Sequence, residues 1–222
     1  GTFQMSPDDV VQQSDKPMHA MNMEHSTPRN ALTYYDPGLS LRDARELYFQ
    51  RYGFNNGGYD DAWVRLQAGP VPIYFPNIPA RVIAVKYHDL HHLLTEYPAT
   101  WVGEAEIGAW EIATGCGRHW PAWILNLYAF AIGLVLAPRR TYRAFARGKR
   151  SSNLYALPFN DALLAQTVGS MRQKLALGDS GRLPDMGDLL GFLLWGVIAV
   201  TMVIVPPIVA LCGLALLIAR LR

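Results

Sequence analysis

The stretch YHDLHHLLTEYPATWVGE, Tyr87 to Glu104, sets three histidines, one aspartate and two glutamates into two otherwise apolar segments joined at Pro98. Ile83, Tyr87, Leu90 and Leu94 form an apolar stripe at helical spacing, so Ala80 to Tyr97 reads as a helix that Pro98 stops. Thr100 can cap a second helix that runs to about Thr114 and is closed by GCG. Residues four apart share a helix face, so His88 and His92 aim at a common point, and Asp89 flanks them at about 100°. The helical hairpin then brings Glu104 back to that point.

Two imidazoles and two carboxylates, His88, Asp89, His92 and Glu104, make a divalent metal site. With no thiolate to select a soft ion, the set suits Zn²⁺ and also Fe²⁺, Mn²⁺ or Co²⁺. His91 points away by the same geometry, and Glu106 lies on the far side of its helix. Glu111 returns to the Glu104 face about 10 Å along it, where it can support a ligand or face a substrate. The opposing reading of the same spacing is a partly buried histidine pair satisfied by hydrogen bonds, with no metal.

Working outward, Ser40 and Asp43 open a capping pattern for a helix over Leu41 to Tyr52, and FNNGGY is a loop. A short helix beginning at Asp60 or Asp61 is expected to carry Trp63 and Leu66. GPVPIYFPNIP, with four prolines, is an extended connector. Trp120 to Pro138 carries no charge and reads as a core or interfacial helix containing Asn126 and Tyr128. A further amphipathic helix is expected from Asp161 to Leu177. No alternating strand pattern stands out, so the expected fold class is all-α.

Residues 1–33 read as a disordered tail, with a start at Gly1 that suggests trimming and with no targeting signal. Residues 34–178 form the helical domain, and residues 179–188 a linker. Residues 189–219 contain no charged side chain and form a membrane segment. At 1.5 Å per residue that segment is about 46 Å long and is interrupted by Pro206 and Pro207, so it is either one kinked span or a helical hairpin. The two cysteines, Cys116 and Cys212, do not make a disulfide framework.

The net charge of +2 is unevenly spread: no acidic residue lies between Glu111 and Asp161. Arg139, Arg140, Arg143, Arg147 and Arg150 recur there at helical spacing, which suits anionic lipid head groups on the cytoplasmic face better than nucleic acid.

HDLHH followed by eleven residues and Glu104 resembles HDxxH(x11)E, the metal-binding signature of the fourth coenzyme Q (ubiquinone) biosynthesis protein family. Tyr35, Asp36 and Pro37 resemble the family's opening, and Arg172 and Leu175 its closing helix. The likeness covers roughly Asp36 to Leu177, while the apolar tail after Asp188 departs from it. The resemblance implies an all-helical, membrane-associated protein that binds a divalent metal and a prenylated quinone-type precursor. It also implies either oxidative decarboxylation at ring carbon one or a non-enzymatic role in assembling other ubiquinone biosynthesis proteins, with self-association as a further expectation. The alternative by motif is a phosphohydrolase of the HD superfamily, with His88 and Asp89 as its pair.

Overall fold

Ser40 accepts the Asp43 backbone N–H at 3.1 Å, and Gly53 turns left-handed at φ 68°. These two residues bound helix α1, Leu41–Tyr52, as the capping pattern predicts. The computed structural model describes residues 35–68, 71–178 and 184–220. The expected tail and residues 179–183 of the expected linker lie outside the described residues. Within them the chain is mostly helical, with one β-hairpin.

That hairpin corrects the sequence reading. β1, Trp63–Ala68, stands where a short helix was expected, and it pairs antiparallel with β2, Val71–Pro76, the expected connector. Trp63 lies opposite Pro76 and Gln67 opposite Pro72. The i, i+3 spacing of Trp63 and Leu66 is a helical signal, since a strand puts such positions on opposite faces, and pairing with the partner strand overrides it. Each strand of a two-stranded sheet has an open edge, where proline's missing N–H costs nothing.

The central hairpin of helices follows. Pro79 starts α2, Pro79–Thr95, at a position where its missing N–H is harmless. The helix ends two residues earlier than expected because Glu96 adopts φ 64° and donates its N–H to the His92 carbonyl at 2.9 Å. Two arginines seal this end. Arg172 donates to the carbonyls of Leu93 and Leu94 at 2.9 and 3.0 Å, and Arg147 donates to that of Thr95 at 2.9 Å. They satisfy carbonyls that a helix end otherwise leaves open, and their charge suits the C-terminal dipole. The Thr100 side chain accepts the Gly103 N–H at 3.2 Å and begins α3, Trp101–Thr114.

Helix α3 lies between two apolar cores. Ile107 and Trp110 join Leu41, Tyr48, Leu90, Leu93, Leu94 and Met171 on one side. Ala109 and Ile112 join Phe130, Phe145 and Phe192 on the other. Complete burial of each leucine contributes about 1.5–3 kcal/mol. The second core is built by α4, Trp120–Leu136, and α5, Pro138–Gly148.

The helix expected over Asp161 to Leu177 is split into α6, Asp161–Leu164, and α7, Val168–Lys174. Between them the backbone pairs with the strand-like residues ahead of α1: Leu41 N–H donates to the Gln166 carbonyl at 2.8 Å, and Val168 N–H to that of Leu39 at 2.9 Å. Thr167 then caps α7 by accepting the Ser170 N–H.

Helix α8, Met186–Arg220, is long and apolar enough to cross a membrane. It runs unbroken through Pro206 and Pro207, so the hairpin alternative is overturned. None of its described residues has the positive φ that would turn the chain back. Its first half is tied to the domain by buried Asp188, paired with Arg150, and by Phe192 and Ala199 in the second core.

The basic stretch is also corrected. Arg140 grips Glu106 with two bonds of 2.8 and 2.5 Å, Arg147 caps α2, and Arg150 holds Asp188. These three guanidiniums reach inward to buried acceptors, and of the five arginines only Arg139 and Arg143 are exposed.

Candidate metal centre

His88 and His92 sit one turn apart on α2, with their Nε2 atoms 3.1 Å from each other. Glu104, in the first turn of α3, places Oε1 3.2 Å from His92 Nε2 and Oε2 3.3 Å from His88 Nε2. These three side chains form a group that can hold a metal ion.

Hydrogen bonds decide which atoms face that point. His92 Nδ1 lies 2.8 Å from the Tyr97 carbonyl, which can only accept, so the proton is on Nδ1. His88 Nδ1 lies 3.0 Å from Glu111 Oε1 and donates to it. Both Nε2 atoms are therefore the ones that face each other and the Glu104 carboxylate. Three electron-rich atoms converging like this repel unless a cation or a proton lies among them. Neighbouring ligands of a tetrahedral ion with bonds of about 2.0–2.1 Å stand about 3.3 Å apart, and octahedral ions bring them to roughly 3 Å. The donor set and its spacing fit a divalent metal without selecting which one.

Asp89, expected as a fourth ligand, is not in this group. It is buried, and its Oδ2 accepts the Tyr59 hydroxyl at 2.5 Å. The offset of about 100° between adjacent helical positions turns Asp89 toward the loop after α1 instead. Burial raises its pKa, against the opposing pull of Tyr59, His88 and His92.

Glu111 supports the group from behind, in the more modest of the two roles its spacing allows. Its Oε1 accepts from His88 Nδ1 and from His91 Nδ1 at 2.7 Å, and its Oε2 accepts from the Tyr155 hydroxyl at 2.6 Å and from the Asn126 amide. Four donors fill its acceptor sites, so the carboxylate is fully used while ionised. His91 points away from the ligand cluster, as expected, and its Nε2 accepts the Leu154 N–H at 3.0 Å, which fixes its proton on Nδ1. Sequence reading missed Tyr155, Asn126 and Tyr59. Only Asn126, a lone amide in an uncharged helix, carried a signal.

The electrostatics follow from these contacts. Burial opposes the charge of His88, but Glu111 and Glu104 overcome it and hold its pKa well above that of free imidazole. Burial also opposes Glu104 and Glu111, and the histidines beside them pull both below the usual carboxylate value. Burial lowers the pKa of His91.

Without metal, the contributions of Glu104, Glu111 and His91 are lost as pH falls below their unfolded values of 4.5 and 6.5; raised Asp89 offsets part of that loss. The contribution of His88 is complete below 6.5 and fades as pH rises through its folded value. Chelated protein should therefore melt highest near about pH 6.5. A metal ion takes the place of the His88 proton, so the increment in melting temperature on adding zinc should grow with pH. Melting curves with chelator and with zinc across neutral pH check both trends, and a metal increment that shrinks as pH rises contradicts the proton placement.

No family model, curated protein or solved structure matches this chain.

Proposed function

We propose that the chain is a membrane-attached, metal-dependent protein of ubiquinone-type biosynthesis that acts on a prenylated aromatic acid. The observation that carries this reading is the convergence of the Nε2 atoms of His88 and His92 on the Glu104 carboxylate, on three of the four positions that the HDxxH(x11)E resemblance implies. His88, His92 and Glu104 would hold the ion, and three protein ligands leave a tetrahedral ion one position for water or substrate. The ion would supply Lewis acidity toward an oxygen of the substrate.

The chain's own residues do the rest. Glu111 holds His88 in its ligating tautomer, and Tyr97 does the same for His92 through its carbonyl. Tyr48 stacks on the His92 ring at 5.6 Å and shields it. A crevice of about 10 Å³ lined by Tyr35, Tyr48, Arg51, Tyr52, Glu96 and Tyr97 lies beside His92; it has room for about one water, so a substrate ring would need it to widen. Helix α8 would attach the domain to the membrane that carries such a lipid.

The reading is tested by mass spectrometry of metal and lipid released from protein purified in mild detergent. About one divalent ion per chain with a co-purified prenylated aromatic is expected. A preparation without metal, carrying phospholipid alone, would end the proposal. If both are bound, supplying the carboxylated precursor with oxygen separates decarboxylation from an assembly role. The ubiquinone-type signature and the phosphohydrolase alternative both place Asp89 among the ligands, so its bond to Tyr59 does not separate them; release of phosphate from nucleotides by the purified protein would favour the phosphohydrolase.

A further inference from the structure

Helix α4 carries no charged residue, yet one of its faces is open to the surroundings. Trp120, Ile124, Leu125, Tyr128, Val135 and Leu136 lie along that face, with Val135 81% and Leu136 55% exposed. An apolar face of this size on a polar domain calls for a partner.

The packing of α8 says which partner. Trp123 stacks on Trp195 at 5.3 Å, and Leu134, about three turns further along α4, packs on Gly196, the next residue of α8. Positions about 16 Å apart on α4 thus meet neighbouring positions on α8, so α4 runs across α8 and not along it. If α8 stands across a bilayer, α4 lies closer to the membrane plane.

Length fixes the depth. Beyond Val203, which packs on the second core, the uncharged part of α8 before Arg220 is about 24 Å long, short of the ~30 Å hydrocarbon core. To complete the span, the bilayer must reach back to about Thr201. Val200 and Thr201 line an open groove of about 320 Å³ together with Leu134, so the C-terminal end of α4 stands at that boundary. Arg139 and Arg143, exposed just past this end in a stretch without acidic residues, are placed for lipid phosphates. Trp120 and Tyr128 are residue types favoured at membrane interfaces.

We infer that the exposed face of α4 is a second membrane-contact surface, which lies in the boundary between head groups and acyl chains and lays the domain flat on the bilayer. The inference rests on the reading of α8 as a membrane span. Continuity with that span favours lipid over a second copy of the chain as the cover. The ion pair between Arg150, just past α5, and buried Asp188 ties the start of α8 to the domain that carries α4.

The test uses the full chain with Cys212→Ser, with buried Cys116 kept and shown not to label, and one added cysteine replacing Ile124, Tyr128 or Val135, each labelled with an environment-sensitive fluorophore. Ile208→Cys serves as the span reference and Gln50→Cys, on exposed α1, as the solvent reference. The proteins are reconstituted in phosphatidylcholine vesicles containing phosphatidylglycerol. Labels at 124, 128 and 135 should be quenched by acyl-chain doxyl lipids, as at 208, and be protected several-fold from aqueous iodide relative to 50. Iodide quenching equal to that at 50, with 208 still quenched by lipid, overturns the inference and leaves the span intact. Iodide access at 208 as well overturns both. Protection from both quenchers at 124, 128 and 135 means that protein covers the face, which also overturns it.

Discussion

His88→Ala protein, purified beside the unaltered chain from metal-replete medium, should retain only a small fraction of its metal. The substitution removes one of three converging donors and also frees an acceptor site on buried Glu111. Loss of an outer partner alone typically costs a metal site about 10–100-fold in affinity, so loss of a direct ligand should cost more than that. Elemental analysis after gel filtration measures the effect, and circular dichroism confirms that the helices persist. Tyr59→Phe is the informative companion, because it removes the hydroxyl that holds Asp89 and leaves the three donors in place. It should keep its metal. Unchanged metal content in His88→Ala would remove the proposed centre and the functional reading built on it.

Gly103→Ala should be the most damaging small substitution in the helical hairpin. A Cβ there would stand 1.8 Å from the Pro98 carbonyl oxygen and 2.8 Å from its carbon. Both are backbone atoms of the turn joining α2 to α3, so no side-chain rotation relieves the overlap. The turn must open, at a cost of more than about 3 kcal/mol, which for a chain of this size lowers the melting temperature by roughly 6–12 °C. The same movement shifts Glu104, the next residue, away from the histidines, so metal affinity should fall together with stability. Gly178→Ala, where an added Cβ meets nothing within 4 Å, is the control. A melting temperature for Gly103→Ala within a degree or two of the unaltered chain contradicts this account of the turn.

These two substitutions probe features of different legibility. The histidine spacing can be read from five letters, because an α-helix repeats every 3.6 residues whatever surrounds it. The need for glycine at 103 cannot be read that way, since it arises from how closely the next helix is folded back against Pro98. Glu111 lies between these cases. Its helical phase placed it on the side of Glu104, but its hydrogen bonds to Tyr155 and Asn126 come from segments far along the chain.

The corrected elements share one cause. The spacing of Trp63 and Leu66 points to a helix, and the proline-rich partner strand overrode it. The segment after Asp161 has helical character, but its pairing with the residues before α1 split it in two. The arginine run was read as a surface, yet Arg140, Arg147 and Arg150 found buried acceptors on other elements.

By itself the sequence determined the capped helices, the common aim of His88 and His92, and an uncharged C-terminal helix of membrane-spanning length, because caps, helical phase and hydropathy are local properties. Tertiary structure alone decided that Asp89 turns to Tyr59, that Glu111 gathers four donors, that α8 continues through its two prolines, and that α4 crosses it with a bare apolar face. Those outcomes depend on which atoms meet once distant segments pack, and spacing along a chain does not encode such meetings.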